Sequence, residues 1–307
     1  MSAVLGLGLA ALGRPGYMTL GHAQDVADAS EAGMQAAAFA VLDEAWALGL
    51  RHFDAARSYG RAEVFLAAWL GARGHRGAVV SSKWGYRYTA NWQRTADVHE
   101  VKDHSLAHFE AQWAESRALL GSSLRTYQIH SITPDSPALD DAALLDRLAR
   151  LRDDGLVVGA SVSGPRQAEL IDRLLGVERG GERLFGAVQA TWNLLERSAG
   201  PALARAKAAG LTVIVKEALA NGLLTTRGDH RPLLEAAREQ GTTPDALALA
   251  VALAQPFADV VLSGAATVEQ LRSNALSRAL SDVPSLLEDS AHPTEAYWRH
   301  RAGLRWS

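Results

Sequence analysis

Four side chains in the first half of the chain can exchange protons: Asp54, Tyr59, Lys83 and His130. Each sits at or just past the end of a short apolar run. Asp54 closes Arg51-His52-Phe53-Asp54, and Tyr59 follows five residues later. Lys83 ends the run 78–83, and His130 ends the run 127–130. A phenol beside an ammonium, with a carboxylate and an imidazole at hand, makes a proton-donating site. A free phenol has a pKa of about 10 and gives up its proton reluctantly. A neighbouring ammonium favours the phenolate and lowers that value. Lys83 is expected to do this for Tyr59. Asp54 is expected to hold Lys83 charged and oriented, and His130 to hydrogen-bond a substrate oxygen.

These groups converge only if the runs are parallel strands that share one C-terminal mouth. Short apolar runs do alternate with helical patterns along the whole chain. Strands are predicted near 4–9, 50–54, 78–83, 125–130, 156–161, 185–190, 211–215 and 259–263. Helices are predicted over Ala36–Leu48, Ala62–Ala72, Leu106–Leu120, Asp140–Arg152, Gln167–Leu175, Pro201–Ala209, Thr243–Gln255 and Thr267–Ala279. Glycines such as Gly49, Gly121, Gly155 and Gly210 close many of them. Eight strands alternating with helices predict an α/β fold, the (β/α)8 or TIM barrel. An open doubly wound sheet is the structural alternative. No Pro/Ser-rich linker divides the chain, so 1–307 reads as a single domain. The stretches 85–104 and 280–307, the latter a C-terminal tail, are longer than ordinary connections and are expected near the barrel mouth.

The chain resembles the aldo-keto reductases. The resemblance lies in FDAARSYGRAE (53–63), SSKWG (81–85), YQIHS (127–131), GASVSG (159–164), QATWNLLER (189–197), EALANGLL (217–224) and SGAATVEQLRSN (263–274). These occur in the family's order and cover most of the chain. The resemblance implies that Tyr59 is general acid in carbonyl reduction and general base in alcohol oxidation. It implies a nicotinamide dinucleotide as hydride source, since no side chain supplies a hydride. Ser161 and Gln189 match positions that hold the carboxamide. Leu219, Gly222 and Leu224 match the stretch over the pyrophosphate. Ser263, Gly264, Gln270 and Asn274 match the turn at the adenosine phosphate end, where a helix start near Thr267 suits an anion. Trp84 and Trp192 are expected to wall the substrate pocket.

The chain also departs from the family. Ala55 replaces a common Thr, and Val162 stands where a polar residue commonly helps hold the carboxamide. Lys216 occupies the strand-seven position where an aromatic ring often stacks on the nicotinamide. A cation cannot stack in that way, and Glu217 is expected to pair with it at the rim. Gly264 and Gln270 stand where many members clamp a 2′-phosphate with Lys and Arg. Arg227 and Arg272 are the remaining candidates to reach that phosphate. Because most members prefer the phosphorylated cofactor, NADP(H) is expected to be favoured modestly, with NAD(H) usable. The expected activity interconverts a small aldehyde or ketone, including a sugar-derived one, and its alcohol. The alternative is a cofactor-binding barrel with a regulatory or binding role and negligible turnover.

Composition narrows the other classes. The 307 residues are 48% hydrophobic and 21% charged, enough for one large buried core. The net charge is −3 and no dense Lys/Arg run occurs, which argues against a nucleic-acid partner. The chain has no cysteine, which excludes disulfides, thiolate catalysis and thiolate metal sites. The apolar stretch Ala3–Leu12 lacks a basic flank and carries Gly6 and Gly8, so it reads as the first strand rather than a signal segment. No apolar run approaches the roughly 18 residues of a membrane span. A cytoplasmic enzyme acting on a small-molecule carbonyl or alcohol is therefore expected, and the sequence does not fix its oligomeric state. Gly6-Leu7-Gly8 with Gly13 imitates a dinucleotide fingerprint, but the last glycine comes two positions late. His104 and His108 are four apart on a predicted helix, but without a third ligand no metal site is expected.

Overall fold

Side-chain alternation builds the barrel. In strand β1, Val4–Gly8, Leu5 and Leu7 are buried. Gly6 takes the opposite face, where a Cβ would meet Val260, Leu262 and His52 inside the barrel. The same period of two recurs in β2 (His52–Asp54), β3 (Val79–Trp84), β4 (Leu124–Ile132), β5 (Val157–Val162), β6 (Ala187–Thr191), β7 (Thr212–Lys216) and β8 (Val260–Ser263). Each strand pairs in parallel with the next, and β8 returns to β1, giving a closed eight-stranded barrel. This computed structural model describes residues 3–280 and 290–307; residues 281–289 of the expected tail lie outside the described residues.

Helices follow the strands and bury their apolar faces on the barrel's outer surface. They are α1 (Glu31–Ala47), α2 (Ala62–Arg73), α3 (Leu106–Leu120), α4 (Ala142–Asp153), α5 (Gln167–Leu175), α6 (Gly200–Ala208), α7 (Pro244–Leu253) and α8 (Val268–Ala275). Several starts are fixed by side-chain caps. Ser30, Ser105, Asp141, Thr243 and Thr267 each accept from an amide in the first turn. The Ser30 cap starts α1 five residues before the sequence pattern does. No described helix is long and apolar enough to cross a membrane.

Several features among the described residues go beyond the predicted elements, among them a short helix His22–Asp25 and a small hairpin of Glu178–Arg179 with Glu182–Arg183. The long connection after β3 folds into a hairpin of Tyr86–Tyr88 with Glu100–Lys102. A further helix, Arg231–Glu239, follows β7 and buries Leu233, Ala236 and Ala237. Another helix, Thr294–Ala302, brings the chain back to the mouth, where Tyr17 and Ser307 exchange two backbone hydrogen bonds of 3.2 and 3.3 Å.

The glycines of the fingerprint-like stretch serve packing. Arg61 N donates to Gly13 O at 2.7 Å, so the loops after β1 and β2 touch backbone to backbone. A Cβ at Gly13 would lie 2.1 Å from the carbonyl oxygen of Tyr59. Gly13→Ala is therefore expected to lower Tm, with an overpacking cost of about 1–3 kcal/mol. A melting temperature equal to wild type would contradict this contact.

Candidate active site

Asp54, Lys83 and His130 face the barrel interior at the C-terminal ends of β2, β3 and β4. The loop after β2 delivers Tyr59 above them. Backbone bonds from Ala55 N to Ser81 O and from Arg57 N to Lys83 O, both 2.9 Å, run that loop along β3. Buried Glu63 on α2 holds the loop from behind, accepting from Arg57, Ser82 and Ser116.

Asp54 is the hub. Its Oδ2 accepts from Lys83 Nζ. Its Oδ1 accepts from Ser81 Oγ at 2.6 Å, Gln189 Nε2 at 3.0 Å and Gln128 Nε2 at 3.4 Å. Lys83 is fully buried; it also donates to Ala55 O at 3.0 Å and to the Tyr59 hydroxyl oxygen at 3.3 Å. The four proton-exchanging groups expected from sequence are thus brought together.

His130 lies edge-on to the Tyr59 ring, with centroids 5.4 Å apart. Burial, then the Lys83, Lys216 and Arg14 charges, push its pKa well below the ordinary imidazole value. The neutral ring can donate or accept a hydrogen bond without adding charge. A bulge fixes it: the β4–β5 register shifts after Ile129, and Ser131 takes a left-handed φ of 50°. Ser161 Oγ accepts the freed Ser131 N–H at 2.7 Å. His104 donates from Nε2 to the His130 carbonyl at 2.9 Å, and its Nδ1 meets Ser136 at 2.5 Å. His104 precedes the Ser105 cap rather than riding on the helix, contrary to the sequence reading.

The Tyr59 phenol departs from expectation. Its pKa is pushed well above 10, by burial first and by the Asp54 carboxylate second. The Asp54 carboxylate offsets the Lys83 charge that was expected to lower it. The Tyr59 hydroxyl is therefore protonated near neutral pH and carries a proton that it can offer to an oxygen in the cavity.

A cavity of about 420 Å³ runs from these groups to the turn between β8 and α8. Asp54, Tyr59, His130, Gln189 and Lys216 line one end. Leu219 and Gly222 line the middle, and Ser263, Gly264, Gln270 and Asn274 the other end. Five expected site residues do not line it; one is Lys83, which lies behind Tyr59 and Asp54 and meets the cavity through them. Trp84 alternates outward from Lys83 and packs on Phe109 at 4.9 Å. Trp192 packs outside β6 on Phe257 at 5.7 Å. Ser161 serves the bulge, and Leu224 is buried in the core. Arg272 is paired with Glu44 outside the cavity, and Arg227 lines it but is held by Asp25.

Sequence reasoning missed Arg14, Glu100, Arg301 and Trp306, which all line the cavity. They come from the first loop, the hairpin and the C-terminal stretch. No local pattern marks them, because their neighbours are remote in sequence. Lys216 Nζ donates to Thr191 Oγ1 at 2.9 Å and to Ser163 Oγ at 3.2 Å, and lies 3.5 Å from Glu217. Burial lowers its pKa to about 8, against the pull of Glu217. The expected Lys216–Glu217 pair exists, but Glu217 is bound more closely by Arg301, through both guanidinium Nε and Nη2.

An elongated ligand with polar groups along its length fits this cavity. Asn221 Oδ1 is buried in its wall without a partner, and a Cβ at Gly264 would meet nothing within 4 Å. Glu217, Ala220 and Asn221 all hold left-handed φ angles in the loop over its middle, strain of a kind that gathers at ligand-binding segments.

Residues 5–283 match the model of the Aldo/keto reductase family. Among solved structures, an aldo-keto reductase from Bacillus halodurans in its holo form superposes with a TM-score of 0.69 at 20% identity, covering 98% of this chain and 91% of that one. Two structures of an aldo-keto reductase assigned in Pseudomonas aeruginosa give TM-scores of 0.64 and 0.62, each at 24% identity over 91% of both chains. These likenesses show the fold. No curated protein matches the chain.

Burial alone would raise the Glu217 carboxyl; the Arg301 and Lys216 charges outweigh it and bring its pKa from 4.5 down to about 2. A depressed carboxyl adds stability that is present above its unfolded value and lost as pH falls through the folded one. The Tm gap between wild type and Glu217→Gln is therefore expected to be full near neutral pH and to close between about 4.5 and about 2. A gap that stays constant across that window would contradict the assignment.

Proposed function

This chain belongs to the aldo/keto reductase family, and from that premise we propose that it reduces a small aldehyde or ketone to its alcohol at the expense of a reduced nicotinamide dinucleotide. The observation that carries the reading is the contact of Lys83 with both Asp54 and the Tyr59 hydroxyl at one end of an elongated cavity. The cofactor, when bound, supplies the hydride. Tyr59 gives its proton to the carbonyl oxygen as that oxygen gains charge. Lys83 supports the phenolate left behind, and Asp54 keeps the ammonium aimed at it. Neutral His130 orients the carbonyl oxygen beside Tyr59. Gln189 has its amide N–H on Asp54, which leaves its carbonyl oxygen as an acceptor facing the cavity. Asn221 and Gly264 support binding of the cofactor's polar middle and far end.

The charges at the far end favour the unphosphorylated cofactor, against the expectation from the family. Glu269 and Asp245 line that end. Arg227 is bound by both oxygens of Asp25 and also donates to Leu20 O. A 2′-phosphate would have to draw Arg227 from Asp25 and tolerate the nearby carboxylates, whereas a ribose hydroxyl can donate to a carboxylate. NADH is therefore expected to bind more tightly than NADPH in titrations followed by tryptophan fluorescence. Trp306, the cavity tryptophan, is the reporter, in place of Trp84 and Trp192. Tighter NADPH binding would reverse this choice.

Lys216, in place of an aromatic wall, favours a second reading: a cofactor-holding barrel with negligible turnover. One variant separates the two. Tyr59→Phe removes a hydroxyl and keeps the ring, so folding and cofactor binding should persist. With wild type active on an aldehyde panel, kcat of the variant should fall by about 10²- to 10⁴-fold. Retention of more than about a third of wild-type kcat would remove Tyr59 from the role, and an inactive wild type would favour the second reading.

A further inference from the structure

We propose that Arg14 is a positioning residue for Tyr59: its guanidinium pins the phenol and supplies positive charge that Asp54 offsets at Lys83. The proposal rests on the reading of Tyr59 as proton donor. Arg14 belongs to a connecting loop, yet it is only 2% exposed. Its guanidinium carbon lies 5.1 Å from the Tyr59 ring centroid and is flanked by Tyr17 at 5.3 Å and Trp306 at 4.5 Å. One nitrogen, Nη1, donates to the carbonyl oxygen of Ser58 at 2.9 Å and to Glu100 at 2.8 Å. Ser58 immediately precedes Tyr59, so one guanidinium holds both the backbone and the ring of the donor.

A structural plug would not need this residue type. An apolar side chain could fill a slot between aromatic rings without bringing a charge into it. Arg14 Nε is moreover buried without a hydrogen-bond partner, a cost that packing alone does not explain. The charged groups facing Tyr59 explain it better. Asp54 from β2, Glu100 from the hairpin and Glu217 beyond β7 all oppose a phenolate, and Arg14 favours one. Lys83 from β3 touches the hydroxyl but is matched by Asp54, and His130 from β4 is neutral. Loss of the Tyr59 proton to a substrate therefore leaves an anion that Arg14 supports beside the partly offset Lys83 charge. Glu100, being the Arg14 counter-charge, weakens that support.

This arrangement sets opposite expectations for two variants. The measurement is the pH–rate profile of alcohol oxidation, in which Tyr59 must act as a base and the rate rises with its ionised fraction. Arg14→Met should displace the rising limb to higher pH by about one unit, the lower end of what a charge at this range does. At a fixed pH on that limb the rate then falls about tenfold. Glu100→Gln should displace the limb to lower pH. Arg14→Lys, which keeps the charge and loses the fork, should recover part of the displacement. A merely structural clamp would lower Tm and rate in these variants and leave the limb in place. If Arg14→Met does not fold, the Glu100→Gln and Arg14→Lys profiles decide. An unmoved or same-direction limb in an active enzyme overturns the role of Arg14 alone. A wild type inactive in both directions, or one indifferent to Tyr59→Phe, overturns the reading of the site and this role with it.

Discussion

Lys83 is fully buried, and an ammonium there is tolerable only because Asp54 accepts from it. Removing one partner of such a pair typically costs about 3–5 kcal/mol, since it strands the other charge. The pair therefore constrains everything around it. Ser81, Gln128 and Gln189 turn their donors onto the free Asp54 oxygen, which links four strands across the barrel interior. Lys83 in turn reaches the loop above through Ala55 O and Tyr59. One ion pair thus organises the strand ends and ties the Tyr59 phenol to the rigid barrel, the kind of positioning that the proposed proton transfer needs.

A second layer of support lies around this centre. Ser161 steadies the bulge that turns His130, His104 holds the carbonyl of His130, and Glu63 anchors the loop of Tyr59 from the helix side. The mouth is closed by segments far apart in sequence. Arg14 joins the first loop to the hairpin through Glu100 and to the C-terminal stretch through Trp306. Arg301 binds Glu217, a strained residue at the end of β7. Asp54, Lys83 and His130 sit on strands, while Tyr59 and most groups that shape the cavity sit on loops.

The strands and the Asp54, Tyr59, Lys83 and His130 set were legible in sequence because both depend on local order. A strand of period two fixes which side chains face inward, and a residue at the end of a run lands at the mouth. The same alternation corrects Trp84: with Lys83 inward, its neighbour must point outward. What stayed hidden depends on contacts between distant segments. Arg14 and Glu100 are 86 residues apart, and Glu217 and Arg301 are 84 apart. Nothing in either local pattern announces the other. The ordinary Lys-lowers-Tyr argument failed for a related reason, since the balance between Lys83 and Asp54 is set by geometry that spacing alone does not give. Arg227 and Arg272 were chosen for charge, and the structure pairs each with a carboxylate, Asp25 and Glu44.

The central claim is that this Asp54-centred site carries out direct hydride reduction of a carbonyl. The most direct measurement follows deuterium from a reduced nicotinamide cofactor labelled at the transferring position into the alcohol product, by mass spectrometry. With wild type the label is expected on the carbinol carbon. In a folded, cofactor-binding Asp54→Asn variant the transfer is expected to be far slower. Alcohol formed without the label, or transfer that proceeds equally well in Asp54→Asn, would contradict it.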